Sequence, residues 1–120
     1  MGLTRVKVTL KGLRSPNGTY EAEFLVDTGA TDSLAPAAKL RSIGVQPVGK
    51  MTYEMADGTR QEYPFGLAEI AFMGEITAGR MILGPDDAEP QLGVTALESV
   101  GITVDPANQT LKKLPAISLK

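Results

Sequence analysis

The chain has 120 residues, 42% of them hydrophobic and 22% charged, with a formal net charge of −2. It contains no His and no Cys, which excludes Ser-His-Asp and Cys-His nucleophiles, His- or Cys-ligated zinc, iron–sulfur clusters and disulfides, and leaves carboxylates, hydroxyls, Lys, Arg, Tyr and the backbone as sources of chemistry. Acidic and basic residues are interspersed and no apolar run approaches the ~20 residues of a membrane span, so neither nucleic acid nor membrane is an expected partner; with no secretion signal in the strand-like first residues, the expected location is cytoplasmic.

Val6, Val8 and Leu10 alternate with Arg5, Lys7 and Thr9, the period-2 pattern of a strand with one buried face. Ser15-Pro16-Asn17-Gly18 supplies turn chemistry, and a second strand from about Thr19 to Val26 completes a hairpin. It ends in the apolar run Phe24-Leu25-Val26, which opens at once into Asp27-Thr28-Gly29-Ala30-Thr31-Asp32. Pro36 fits the first turn of a helix over Ala37 to Ser42, with Gly44 closing it from the left-handed position. Lys50 to Met55 and Thr59 to Phe65 flank Ala56-Asp57-Gly58, a hairpin tip. Leu67 to Phe72 and Ile76 to Leu83 read as further strands broken at Met73-Gly74-Glu75, followed by the acidic loop Asp86, Asp87, Glu89. Gly93 to Val100 reads as a second short helix stopped by Gly101, and Ile102 to Val104 and Thr110 to Leu114 as last strands around Asp105-Pro106-Ala107-Asn108. The expected fold class is all-β, mainly strand with two short helices, in one domain over residues 1–120.

A weak internal echo crosses this pattern. Shifted by 57 residues, Phe24-Leu25-Val26 falls on Met81-Ile82-Leu83, and Leu40 to Val45 falls on Leu97 to Ile102. Each half reads as apolar strand, loop, short helix and Gly stop. The halves differ where chemistry would sit, because Asp27 falls on Gly84.

A lone carboxylate cannot both deprotonate a water and protonate a leaving amine. Two carboxylates about 3 Å apart can, because like charges that close cannot both ionise and one proton is shared, as in the aspartic proteases. A two-fold dimer sets a residue near its axis opposite its own copy, so one Asp27 per chain is the count such a site needs.

Phe24-Leu25-Val26-Asp27-Thr28-Gly29-Ala30-Thr31 resembles the active-site motif of the aspartic proteases. The length, the single motif copy and the segment Gln91-Leu92-Gly93-Val94-Thr95-Ala96-Leu97-Glu98 resemble their retropepsin branch. That resemblance implies a closed, barrel-like acid protease fold with one lobe per chain, and an aspartic endopeptidase that acts as a homodimer on extended polypeptides without metal or cofactor. It implies that Asp27 is the catalytic carboxylate, that Thr28 hydrogen-bonds beneath the paired carboxylates, that Gly29 lets substrate backbone approach, and that Ala30 walls the site. Met55, Ala56, Asp57 and Gly58 would form the flap that closes over substrate, and Leu92 and Gly93 the scaffold behind the active-site loop. The tip lacks the multiple glycines of viral flaps, and Tyr53, the nearest aromatic, lies a few residues before it. Strands over Leu3 to Leu10 and Leu111 to Leu119 would interleave in the dimer, with Pro115 confining the second to an edge or bend.

Other readings compete with these. Asp-Thr-Gly alone occurs in roughly two or three of a hundred random chains of this length, so it is the apolar run before it and the Ala after it that favour catalysis over a plain turn. Asp32 reads as a helix N-terminal or loop hydrogen-bonder rather than a second catalytic acid, Asp57 as a turn former, and Asp86, Asp87 and Glu89 as a solvated loop rather than a Ca²⁺ site. An aspartyl-phosphate chemistry would need a second carboxylate or a Lys near Asp27, and Gly29 stands at the second carboxylate's place. The alternative function is a non-catalytic dimerisation or peptide-binding module of the same fold.

Overall fold

The computed structural model describes residues 4–14 and 17–119, so the turn residues Ser15 and Pro16 and the terminal Leu3 lie outside the description. In chain order the elements are β1 (Arg5–Gly12), β2 (Tyr20–Asp27), β3 (Ser33–Pro36), α1 (Ala37–Ser42), β4 (Gly49–Glu54), β5 (Arg60–Phe72), β6 (Glu75–Gly84), β7 (Gln91–Gly93), α2 (Val94–Ser99), β8 (Ile102–Asp105) and β9 (Thr110–Lys113). None of the described helices is long and apolar enough to cross a membrane.

The period-2 pattern of β1 buries Val8 and Leu10 and exposes Arg5 and Lys7. β1 pairs antiparallel with β2, Arg5 opposite Leu25 through Leu10 opposite Tyr20. Strand order in the main sheet is β1-β2-β7-β3-β6-β5-β4, and β1 also pairs with β5 through Thr9 to Gly12. That last pairing closes β1, β2, β7, β3, β6 and β5 into a six-stranded barrel. Closure removes the free edges that an open sheet of this size would present. β4 is left outside, paired to the first half of β5 alone, while β8 and β9 form a separate hairpin. Phe24, Leu10, Leu40, Ile70, Met81, Leu92 and Leu97 fill the interior, each under 2% exposed, and at about 1.5–3 kcal/mol for each large apolar side chain buried they are the main stabilising term.

Three expectations are corrected here. The two strands read over Thr59 to Phe65 and Leu67 to Phe72 are one 13-residue strand, β5. Gly66 does not break it; a Cβ there would lie 2.6 Å from Val45 Cγ1 and 2.7 Å from the Gln46 carbonyl, so this glycine admits a crossing segment against a continuous strand. Second, Ser33–Pro36 and Gln91–Gly93 are strands, where the sequence suggested a loop and the start of a helix. Third, β9 stops at Lys113 instead of running to Leu119, in keeping with the missing N–H of Pro115.

The 57-residue echo is a structural repeat. α2 begins and ends 57 residues after α1, and both helices stop at a left-handed glycine, Gly44 at φ 89° and Gly101 at φ 70°. The pairing is crossed and reciprocal. β2 runs parallel to β7 with Asp27 opposite Gly93, and β6 runs parallel to β3 with Gly84 opposite Pro36. The same strand-loop-strand-helix unit thus occurs twice, each lending its short strand to the other's long one.

Candidate active site

Asp27 is the last residue of β2, half-buried, where the strand gives way to a tight turn. Its Oδ1 accepts the backbone N–H of Gly29 at 3.0 Å, and its carbonyl accepts the N–H of Ala30 at 3.1 Å. The carboxylate is therefore oriented by its own loop. A Cβ on Gly29 would lie 3.3 Å from Asp27 Oδ1, so a side chain there would crowd the carboxylate the turn holds. Thr28 and Gly29 are exposed and Ala30 is half-buried.

The loop is pinned from behind by β7. A Cβ on Gly93 would lie 2.7 Å from both the carbonyl carbon and the oxygen of Asp32 and 2.8 Å from the Thr31 carbonyl, a contact no side chain tolerates against backbone. The N–H of Gly93 donates to Ser33 Oγ at 2.9 Å, and Ser33 is only 2% exposed. The loop then satisfies the first amides of α2: Val94 N–H donates to the Ala30 carbonyl at 2.8 Å and Thr95 N–H to the Thr31 carbonyl at 3.2 Å. Helix N-termini leave such donors unpaired unless a cap supplies acceptors, so the loop and α2 hold each other in place. Leu92, wholly buried, roots this assembly in the core.

Met55, Ala56, Asp57 and Gly58 lie at the exposed tip of the β4–β5 hairpin. Met55 N–H donates to the Thr59 carbonyl at 2.7 Å, and Gly58 takes φ 87°. Asp57 Oδ1 accepts from Thr59 N–H and Oγ1 at 3.0 and 2.6 Å, and the Thr59 bonds hold its carboxyl below the usual range. Asp57 is thus a turn former. Alternation places Met51, Tyr53, Gln61 and Tyr63 on one face of the hairpin and Lys50, Glu54, Arg60 and Glu62 on the other, where they form the ion pairs Lys50–Glu62 and Arg60–Glu54.

The apolar face is the one turned toward the Asp27 loop, because the Tyr53 hydroxyl donates to Asp32 Oδ2 at 2.7 Å. Burial pushes the Tyr53 phenol up to about 12, with the Asp32 hydrogen bond and charge adding to the rise and Arg80 opposing it. Ser33 and Arg80 escaped the sequence reading as site residues, and Tyr53 was noted only as the aromatic nearest the hairpin tip, without its Asp32 partner; only the position of Ser33 just past the motif could have drawn attention to it. The acidic loop is divided between two tasks: Asp86 Oδ1 accepts Ala38 N–H at 3.0 Å, and Glu89 pairs with Arg5 at 2.8 Å. Beside Thr28 an open groove of about 450 Å³ is lined by Val94, Leu97, Ile102, Val104, Leu114 and Ile117.

This small closed barrel with two short helices matches the fold of the retroviral proteases. It is similar to the EIAV protease complexed with the inhibitor HBY-793, at TM-score 0.62 and 20% identity over 87% of this chain and 93% of that one. The simian foamy virus (mac) protease in solution aligns at TM-score 0.56 and 17% identity, over 78% of this chain and 91% of that one. The family model described as "gag-polyprotein putative aspartyl protease" matches residues 15–99. The chain belongs to that retropepsin-like aspartyl protease family. No curated protein matches the sequence.

Proposed function

We propose that the chain is an aspartic endopeptidase that works as a homodimer, cutting extended polypeptides with a water held between two Asp27 carboxylates. The observation that carries this reading is the asymmetry of the repeat. Asp27 stands in an oriented, backbone-pinned turn, and its counterpart in the other unit is the buried Gly84. A second carboxylate must then come from a second chain.

In this reading one Asp27 is ionised and its partner protonated. The ionised carboxylate takes a proton from the water as the oxygen attacks the peptide carbonyl carbon, and the protonated one gives its proton to the carbonyl oxygen. The gem-diol intermediate collapses as its C–N bond breaks: the carboxyl that took the water's proton gives it to the departing nitrogen, a diol hydroxyl returns its proton to the other carboxylate as the C=O re-forms, and the pair is left again with one shared proton. Thr28 hydrogen-bonds across the dimer beneath the carboxylates, Gly29 admits the substrate backbone, and Ala30 walls the site. Met55, Ala56, Asp57 and Gly58 form the flap tip, and the apolar hairpin face with Met51 and Tyr63 covers apolar substrate side chains. Leu92 and Gly93 set the loop from behind. Residues 1–120 act as one domain, and the groove beside Thr28 receives the second copy, in line with the exposed apolar Leu114 and Ile117 on its rim.

The test is cleavage of an unstructured polypeptide at acidic to neutral pH by wild type and by Asp27→Asn, with sedimentation of both. Expected are a dimer in each case and a fall in kcat/KM of about 10²–10⁴-fold in the variant, the range of a lost acid–base group. Cleavage unchanged by the substitution, or no cleavage by a dimeric wild type, overturns the catalytic reading in favour of a binding module. A strict monomer that still cleaves overturns the shared pair.

A further inference from the structure

β4 is the edge strand of the main sheet and pairs only with β5. Its other polar contacts, Lys50–Glu62 and Arg60–Glu54, stay within the β4–β5 hairpin. Among the described residues, the polar tie from β4 to the body of the molecule is the Tyr53 hydroxyl, which reaches Asp32 and also faces Arg80.

Both anchors of that tie are fixed. Arg80 on β6 stacks over the Phe65 ring, its guanidinium carbon 4.2 Å from the ring centroid, a favourable cation–π geometry. Phe65 in turn lies against Gly49 at the start of β4, where a Cβ would meet the ring at 2.9 Å. Asp32 is held by its backbone, pressed on Gly93, and is followed by Ser33, whose hydroxyl takes the Gly93 N–H. Gly93 is the residue paired with Asp27. The path from hairpin to carboxylate therefore runs Tyr53, Asp32, Gly93, Asp27, with the first step a single hydrogen bond and the others backbone packing or strand pairing.

We propose that Tyr53 and Asp32 form a strap that holds the β4–β5 hairpin down on the Asp27 loop, which makes Tyr53 a positioning residue for substrate capture. The inference rests on reading the hairpin as the flap of the Asp27 site. A phenol donating to a carboxylate is a strong and directional bond, yet it is one bond, so the hairpin opens by breaking it without unpacking the core. Lids that open and close on the microsecond-to-millisecond scale are held by few contacts of this kind. Because the strap uses the Tyr53 hydroxyl alone, the Met51 and Tyr63 side chains on the same face stay available to a bound chain.

Hydrogen–deuterium exchange on the full chain tests the strap without reference to cleavage. Tyr53→Phe keeps the ring and removes the donor. Exchange of the Met55 and Gly58 amides is expected to rise about tenfold, as for loss of one hydrogen bond to a charged acceptor, while the thermal midpoint falls by no more than the few degrees that one such bond accounts for. Asp32→Ala should match it, Asp32→Asn, which keeps an acceptor, should largely restore protection, and the double variant Tyr53→Phe/Asp32→Ala should exceed neither single one. In cleavage assays KM should rise by about the same factor with kcat within about twofold. Unchanged tip exchange in Tyr53→Phe, or additive effects in the double variant, overturns the strap. Should wild type fail to cleave while the exchange pattern holds, the endopeptidase reading falls and the strap stands.

Discussion

The two copies of the strand-loop-strand-helix unit share a backbone plan and differ in how each loop meets the helix of the other unit. In the Asp27 copy the loop lies directly on α2, main chain to main chain, with the carbonyls of Ala30 and Thr31 accepting the first amides of the helix. That approach is possible because Gly93 has no side chain. In the other copy the place of Gly93 is taken by Pro36, opposite Gly84, and the loop reaches α1 through a side chain, Asp86 to the Ala38 amide. Gly84 itself is covered by Leu34, whose Cδ2 would sit 2.9 Å from a Cβ there. One copy thus leaves a half-buried carboxylate at the end of its long strand, and the other buries a glycine at the equivalent point, the asymmetry on which the proposed two-chain site rests.

The comparison can be broken most severely by writing the motif into the silent copy. Gly84→Asp sets a carboxyl against Leu34 in a buried position, and overpacking and an unpaired buried polar group, each about 1–3 kcal/mol, should together destabilise by about 2–6 kcal/mol; chemical denaturation measures this, and a neutral result would mean that the silent half has room for a carboxylate. Next in size is Gly93→Ala, which drives a methyl into the Asp32 and Thr31 carbonyls. It should cost about 1–3 kcal/mol and also displace the Asp27 turn, so cleavage should fall more than stability accounts for; equal losses in both would show that the loop does not depend on main-chain contact. Asp86→Ala removes only the exposed side-chain cap on α1 and should cost about 0.5–1.5 kcal/mol with cleavage unchanged, a difference that thermal unfolding resolves.

A last effect is one of pH, and it acts through the bond from Tyr53 to Asp32 of the Asp27 copy. The Tyr53 phenol lies at about 12 in the folded chain against an ordinary 10.0. The neutral phenol is the form favoured by folding, so its contribution is complete below pH 10 and is lost as pH rises from 10 toward 12. An ultraviolet titration should show a phenol ionising near the upper end of that window, absent in Tyr53→Phe and shifted down in Asp32→Asn. A titration unmoved by Asp32→Asn would mean that burial alone holds the phenol neutral.

Features carried by neighbouring residues were legible before the fold. The β1–β2 hairpin announces itself by the alternation of its first strand, the β4–β5 hairpin by its Asp57-Gly58 tip, the helices by their glycine stops, and Asp27 by an apolar run that opens into small polar residues. The 57-residue echo was faint in residue identity, yet it matched the helix boundaries because strand, helix and stop are local patterns. β3 and β7 were not legible. Strands of four and three residues hold too few positions to show a period, and they are strands only because each runs parallel to a segment far away in sequence. Ser33 and the Tyr53–Asp32 bond were hidden for the same reason, since their partners lie 60 and 21 residues distant.

By itself, then, the sequence determined which side chains are available for chemistry, carboxylates in the absence of His and Cys, and it set one Asp at the end of an apolar run. Tertiary structure alone decided that this Asp is oriented, that Gly93 is what lets its loop close on α2, and that the hairpin is tied down through Tyr53. The division is physical. Side-chain type and short-range backbone preference are written locally, whereas the crossed pairing of β2 with β7 and β6 with β3 exists only once barrel closure has brought remote strands into register.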